Sequence, residues 1–143
     1  MIVNRILGLK GRDVVTIEQS RSLSEAARVL SERRIGALPV IDGKQPVSGI
    51  ISERDIVRAV ALHGPSALDE PVSRFMTSKV LTCTGQTPIN DVMEMMTEQK
   101  IRHIPIVEEE KLVGIVSIGD VVKLRLEEVE GEAQAIREYI ATA

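Results

Sequence analysis

The chain has 143 residues, of which 43% are hydrophobic and 27% charged, and 18 Lys plus Arg against 21 Asp plus Glu leave a formal charge of -3. That is the composition of one ordinary folded domain, or of two small fused ones, and no apolar run reaches the roughly 18 residues that a membrane span requires. With Phe75 and Tyr139 as the only aromatic residues, no Trp and no basic excess, the chain lacks both the stacking platform and the electrostatic footprint of a nucleic-acid binder.

A single cysteine, Cys83, leaves no partner for an internal disulfide, and the opening MIVNRILGLK has no long apolar stretch of the secretory kind. Cytoplasm is the expected compartment. In chain order, the first feature is Val3-Asn4-Arg5-Ile6-Leu7, which returns later as Val72-Ser73-Arg74-Phe75-Met76. A β-rich run begins at Val14. From 22 to 34, Leu23, Ala26, Ala27 and Leu30 take the i, i+3, i+4, i+7 spacing of a helix with one apolar face, and Ser22 with Glu25 is a capping-box signature at its start. Two β-rich runs, 37–41 and 47–51, follow with Asp42-Gly43 suited to a hairpin between them, and a further helix starts at Ser52.

The series then repeats. A β-run begins at Val80, and a helix opens at Thr87-Pro88, a cap followed by proline at the first helical position, with Ile89, Val92, Met93 and Met96 on one face. Runs 104–107 and 112–116 follow, then a helix from Ser117. Val14 matches Val80, Thr16 matches Thr82, Glu32 matches Glu98, Ile35 matches Ile101 and Pro39 matches Pro105. After a one-residue deletion, Gly49-Ile50-Ile51-Ser52 and Asp55 lie over Gly114-Ile115-Val116-Ser117 and Asp120. The fold class is therefore α/β (α+β): two pseudo-symmetric β-α-β-β-α copies, residues 1–66 with the N-terminal segment and residues 67–126. Each copy covers one face of its sheet with two helices, so the open faces are expected to cover each other.

Residues 127–143 form a third feature, a long C-terminal helix. Val122, Leu126, Val129, Ala133, Ile136 and Ile140 keep the heptad rhythm of a helix that packs along another helix. It is expected to dock on a second subunit. The alternative is that it folds back on its own chain, since Gly131 interrupts it.

The repeated segment Gly, apolar, apolar, Ser, two residues, Asp stands where a strand runs into a helix. The helix start offers unpaired N–H groups and partial positive charge to an anion, the Ser hydroxyl adds a bond to phosphate, and Asp55 or Asp120 can accept from both hydroxyls of a ribose. The same Ser and Asp types also serve as an N-cap and as a complement to the helix dipole. His63, His103 and Cys83 fall short of a zinc set. Cys83 lies in a β-run and reads as a small buried apolar residue rather than a nucleophile, so no catalysis is expected.

The two-strand unit, Pro39 and Pro105, and the Gly-to-Asp segment together resemble the cystathionine β-synthase (CBS) domain family, as a free-standing tandem pair covering almost the whole chain. The resemblance implies that the copies pack through their sheets and bind adenosine ligands between them: AMP, ADP or ATP, with NAD and S-adenosylmethionine as further members of the class. Asp55 and Asp120 would hold ribose, Ser52 and Ser117 would lie near phosphate, and adenine would sit by backbone near Val15 or Leu81. The family's phosphate contacts before the proline are Gly36-Ala37 in one copy and Arg102-His103 in the other, so unequal sites are implied. Arg102, His103 and Arg54 would neutralise a di- or triphosphate, and Lys10 would reach the same clefts. The implied protein is a regulatory homodimer that signals to a separate, unknown protein partner, with no membrane or nucleic acid involved. The alternative is a ligand-free structural dimerisation module.

Overall fold

The computed structural model describes residues 1–142. Helix α1 (Asn4–Lys10) is followed by strand β1 (Ile17–Glu18), helix α2 (Leu23–Arg33), strands β2 (Ala37–Ile41) and β3 (Gly49–Ser52), and helix α3 (Glu53–His63). A 3₁₀ turn (Pro65–Asp69) and the short helix α4 (Val72–Phe75) lead into helix α5 (Ile89–Gln99), strands β4 (His103–Glu108) and β5 (Lys111–Ser117), and helix α6 (Ile118–Thr142). Strand β1 pairs parallel with β2 and β2 antiparallel with β3, while β4 and β5 form a separate antiparallel pair. The expected unit is thus present twice, with corrections at its edges.

The opening strand of the second copy shrinks to one parallel bridge between Cys83 and Ile106. Its two bonds run from Cys83 N to the Pro105 carbonyl at 3.0 Å and from Val107 N to the Cys83 carbonyl at 2.9 Å. The chain turns away directly afterwards, because the Thr87 hydroxyl accepts from Thr84 N at 3.0 Å and the Thr84 hydroxyl accepts from Gln86 N at 3.2 Å. That use of Thr87 also removes it as a helix cap, and α5 starts one residue later than the proline rule places it, with no side-chain cap. At α2 the Ser22 hydroxyl does accept from Glu25 N at 3.1 Å, but the reciprocal half of the box is absent, since the Glu25 carboxylate faces Arg21 instead. The hairpin turn is as expected: Asp42 accepts from Lys44 N and Gln45 N, and Gly43 takes a φ of +81°, a left-handed conformation natural to glycine.

Period-two patterning explains the layers. Leu38, Val40 and Ile51 point to the helix side, where they pack with Leu23, Ala26 and Leu30. Ile104, Ile106 and Val116 do the same with Val92 and Met96. The alternate residues Ala37, Pro39 and Pro105 are also buried but belong to neither helix-side cluster. Both faces of the central strands are therefore covered. The two repeats meet where Gly36, leading into β2, lies against His103 at the start of β4; a Cβ at Gly36 would stand 3.2 Å from the imidazole Cε1.

The two short elements that precede the repeats exchange places. Val3, just before α1, and Ile6 and Leu7 within it lie in the core of the second repeat, whereas Val72 and Phe75 of α4 pack in that of the first. Backbone bonds fix both: Val3 N to Thr87 O at 2.9 Å and Asn4 N to Gly85 O at 2.8 Å on one side, Val72 N to Arg21 O at 2.8 Å and Ser73 N to Gln19 O at 3.0 Å on the other. Helix α6 runs through Gly131 without a break. Only Val121 and Leu124 on it are buried, and it does not fold back on its own chain.

Candidate functional site

The site begins at the β3–α3 junction. Ser52 is extended and caps α3, its hydroxyl accepting from Asp55 N at 3.3 Å. Asp55 returns the bond, with Oδ2 accepting from Ser52 N at 2.9 Å and from the Ser52 hydroxyl at 3.0 Å. This capping box aims the carboxylate, and among the described residues its Oδ1 takes no hydrogen bond. Asp55, Ser52 and Arg54 line a cavity of about 300 Å³ together with Glu53, Arg58, Ile50, Gly36, Ala37 and Thr77 from the first repeat side, and Lys100, Ile101, Arg102 and His103 from the second. The volume lies at the lower end of the range of about 300–1,000 Å³ usual for small-molecule sites.

Four cations against two carboxylates line that cavity. Arg54 and Arg58 stand one turn apart on α3, and Lys100 closes α5 in a left-handed conformation with φ of 54°. His103 is half-buried, and burial, with the Lys10 charge behind it, lowers its pKa below the ordinary value against the smaller opposing pull of Asp120 and Glu53. The imidazole is therefore neutral at pH 7 and becomes easier to protonate when an anion arrives.

The equivalent junction in the second repeat is arranged differently. Ser117 N donates to Asp120 Oδ2 at 2.9 Å and Asp120 N to the Ser117 hydroxyl at 3.1 Å. Lys10, at the end of α1, donates to the same Oδ2 at 2.8 Å and to the Ile115 carbonyl at 3.0 Å. Burial tends to raise the Asp120 pKa, but the bonds from Lys10 and Ser117 and the Lys10 charge outweigh it and hold the carboxyl below its usual value. Gly119, where the first copy has Arg54, adds no charge.

The structure thus brings Asp55, Ser52, Arg54, Gly36, Arg102 and His103 into one cavity, and groups Asp120, Ser117 and Lys10 in another place. Val15 packs half-buried against the first core and Leu81 is 41% exposed; neither lines the cavity. Arg58, Lys100 and Thr77 are additional members. The i+4 spacing of Arg58 from Arg54 is the one signal in the sequence that could have placed both on the same helix face. Thr77 arrives through the linker, which pairs with β3 by Ile50 N to Thr77 O at 3.0 Å and Thr77 N to Ile50 O at 2.9 Å. Cys83 is buried and its thiol is pushed up to about 11 by that burial, which keeps it protonated at neutral pH. Among the described residues no cluster of His, Cys, Asp and Glu is arranged to hold a metal ion, and no helix is long and apolar enough to cross a membrane.

Paired strand-helix units that meet through their sheets, with a capped Asp at each closing helix, define a tandem module. The chain belongs to the CBS domain family, whose model matches residues 9–62 and 72–127. It is similar to the CBS-domain protein ATU1752 of Agrobacterium tumefaciens, at 45% identity and a TM-score of 0.84, over 87% of this chain and 99% of that one. The CBS domain pair of MJ0100, in complex with 5-methylthioadenosine and S-adenosyl-L-methionine, is 28% identical with a TM-score of 0.80, over 90% of this chain and 98% of that one. CBSX2 in complex with AMP is 28% identical with a TM-score of 0.69, over 80% of this chain and 89% of that one. The chain spans 58% of the length of the first curated relative it matches.

Proposed function

We propose that this chain is a regulatory module that binds an adenine nucleotide in the cavity between its repeats, acts as a homodimer, and passes the bound state to a protein partner. One observation carries the reading: a carboxylate aimed by its own helix cap shares a cavity of about 300 Å³ with Arg54, Arg58, Lys100 and Arg102, drawn from both repeats. A ribose diol suits Asp55 Oδ1, and phosphates suit the cationic wall. AMP in one similar structure and S-adenosyl-L-methionine in another support the adenosine class. A ligand that touches Asp55 and Arg102 together favours the arrangement in which both contacts are made, and this population shift is the signal. No bond is broken, and the buried, protonated Cys83 gives no support to an enzyme.

Calorimetric titration of AMP, ADP, ATP and NAD into the wild type and into Asp55→Ala and Arg102→Ala tests it. Each substitution is expected to weaken binding by about 1–3 kcal/mol, the scale of a lost hydrogen bond to a charged group. Affinities left unchanged by both would reject the assignment. Absence of any nucleotide binding by the wild type would leave the ligand-free dimerisation module.

A further inference from the structure

Helix α6 carries an unpartnered apolar seam whose flanking charges specify what covers it. Val122, Leu126, Val129, Ile136 and Ile140 are 51 to 67% exposed, in a helix whose own repeat covers only Val121 and Leu124. In heptad terms Leu126, Ala133 and Ile140 take the a positions and Val122, Val129 and Ile136 the d positions. Val121 and Leu124 then fall at c and f, on the side away from the seam, so the face that docks on the chain's own body and the face left open do not compete. Gly131 also falls at f, where it removes nothing from the seam.

The positions beside the seam decide the partner and its direction. Arg125 and Glu132 occupy g positions, and Glu130 and Arg137 occupy e positions. In a parallel, in-register pair each g residue faces the e residue five places on in the other helix. Arg125 then meets Glu130, and Glu132 meets Arg137, each twice by symmetry. The antiparallel arrangement that keeps the whole seam matched is centred on Gly131. It sets Glu130 against Glu130, Glu132 against Glu132, and Lys123 near Arg137. The charge pairs of the parallel arrangement are all attractive, and those of the antiparallel one are all repulsive. The small Ala133 in the middle of the seam suits the close approach of two helices.

We propose that α6 pairs with α6 of a second copy of this chain as a parallel, in-register two-stranded coiled coil over residues 122–140. The pairing deepens the homodimer part of the functional reading and places the two CBS pairs at the same end of the coil. It requires no nucleotide, so nucleotide titrations and this test fail independently.

Cysteines at exposed seam positions read the direction. Under mild oxidation Val129→Cys is expected to cross-link to its own copy, as is Ile136→Cys, while a mixture of Val129→Cys with Ala133→Cys gives no cross-link between the two variants; the native Cys83 is buried and stays out of the reaction. Sedimentation should give the mass of two chains. Glu132→Arg and Arg137→Glu are each expected to weaken the dimer by about tenfold, and the double exchange to restore it to within about threefold, since the opposite charges face each other again. Cross-linking of 129 to 133 in place of 129 to 129 overturns the parallel pairing. A mass of three or four chains overturns the two-stranded coil. A dimer with no cross-link at any seam position overturns the helix pairing and leaves the homodimer standing, and a monomer overturns both.

Discussion

Lys10 sits on the second aspartate as a ligand's hydroxyl groups would, and with the change from Arg54 to Gly119 it sets the second junction apart from the first. Its bond to Asp120 is short, 2.8 Å, yet the pair is partly open to water, so its displacement costs little. Under the nucleotide reading, Lys10→Ala is expected to tighten a site at Asp120 by about threefold to tenfold in the same titrations, with a smaller change at the Asp55 site. Loss of affinity there instead would make Lys10 a phosphate contact. The variant also changes acid stability. Because the folded-state pKa of Asp120 is depressed, its contribution is present above the unfolded value of about 3.9 and is lost as the pH falls through the folded value. Thermal melts should therefore show the gap between wild type and Lys10→Ala narrowing as the pH is taken down through and below the unfolded value of about 3.9.

At the scale of the element, helices α3 and α6 both open on a reciprocal Ser–Asp box, whereas α5 begins with no side-chain cap at all. Ser52→Ala is expected to cost about 1 kcal/mol in denaturant unfolding, and Thr87→Ala distinctly less from α5, because the Thr87 hydroxyl serves the preceding turn. The comparison also separates the structural part of Asp55→Ala from its effect on binding. The helices were legible in the sequence because apolar residues at a period of 3.6 record a buried face. The opening strand of the second copy was misread because a β-rich composition does not reveal a turn made by two threonine hydroxyls. The site was legible where two copies could be compared, as at Asp55 and Asp120. Arg58 and Lys100 look like solvated charges until folding brings α3 and the end of α5 to one cavity; Lys10 is expected at the clefts, but the order of residues does not mark it as the partner of Asp120.

At the scale of the whole molecule, the exchange of α1 and α4 ties the repeats into one unit. Leu7 belongs to the first copy by sequence but to the second by packing, and it fills the space left by Gly114, where a Cβ would stand 2.7 Å from Leu7 Cδ2. Leu7→Ala is expected to destabilise the protein by about 2–5 kcal/mol. Hydrogen exchange should place the loss first in α5 and β4 rather than in α2 and β2, which pack in the other core. Sequence similarity between the copies could not disclose the exchange, because the alignment of Val3–Leu7 with Val72–Met76 is the same whichever core each one joins.

That crossing has a bearing on how the chain is made. As it leaves the ribosome, the segment around Leu7 is synthesised long before Cys83, Val92 and Ile104, the groups that will shelter it, so its oily side must wait in water or in the grip of a chaperone. The first repeat can close once Val72 and Phe75 emerge, and the latch of the second is made before either repeat it joins.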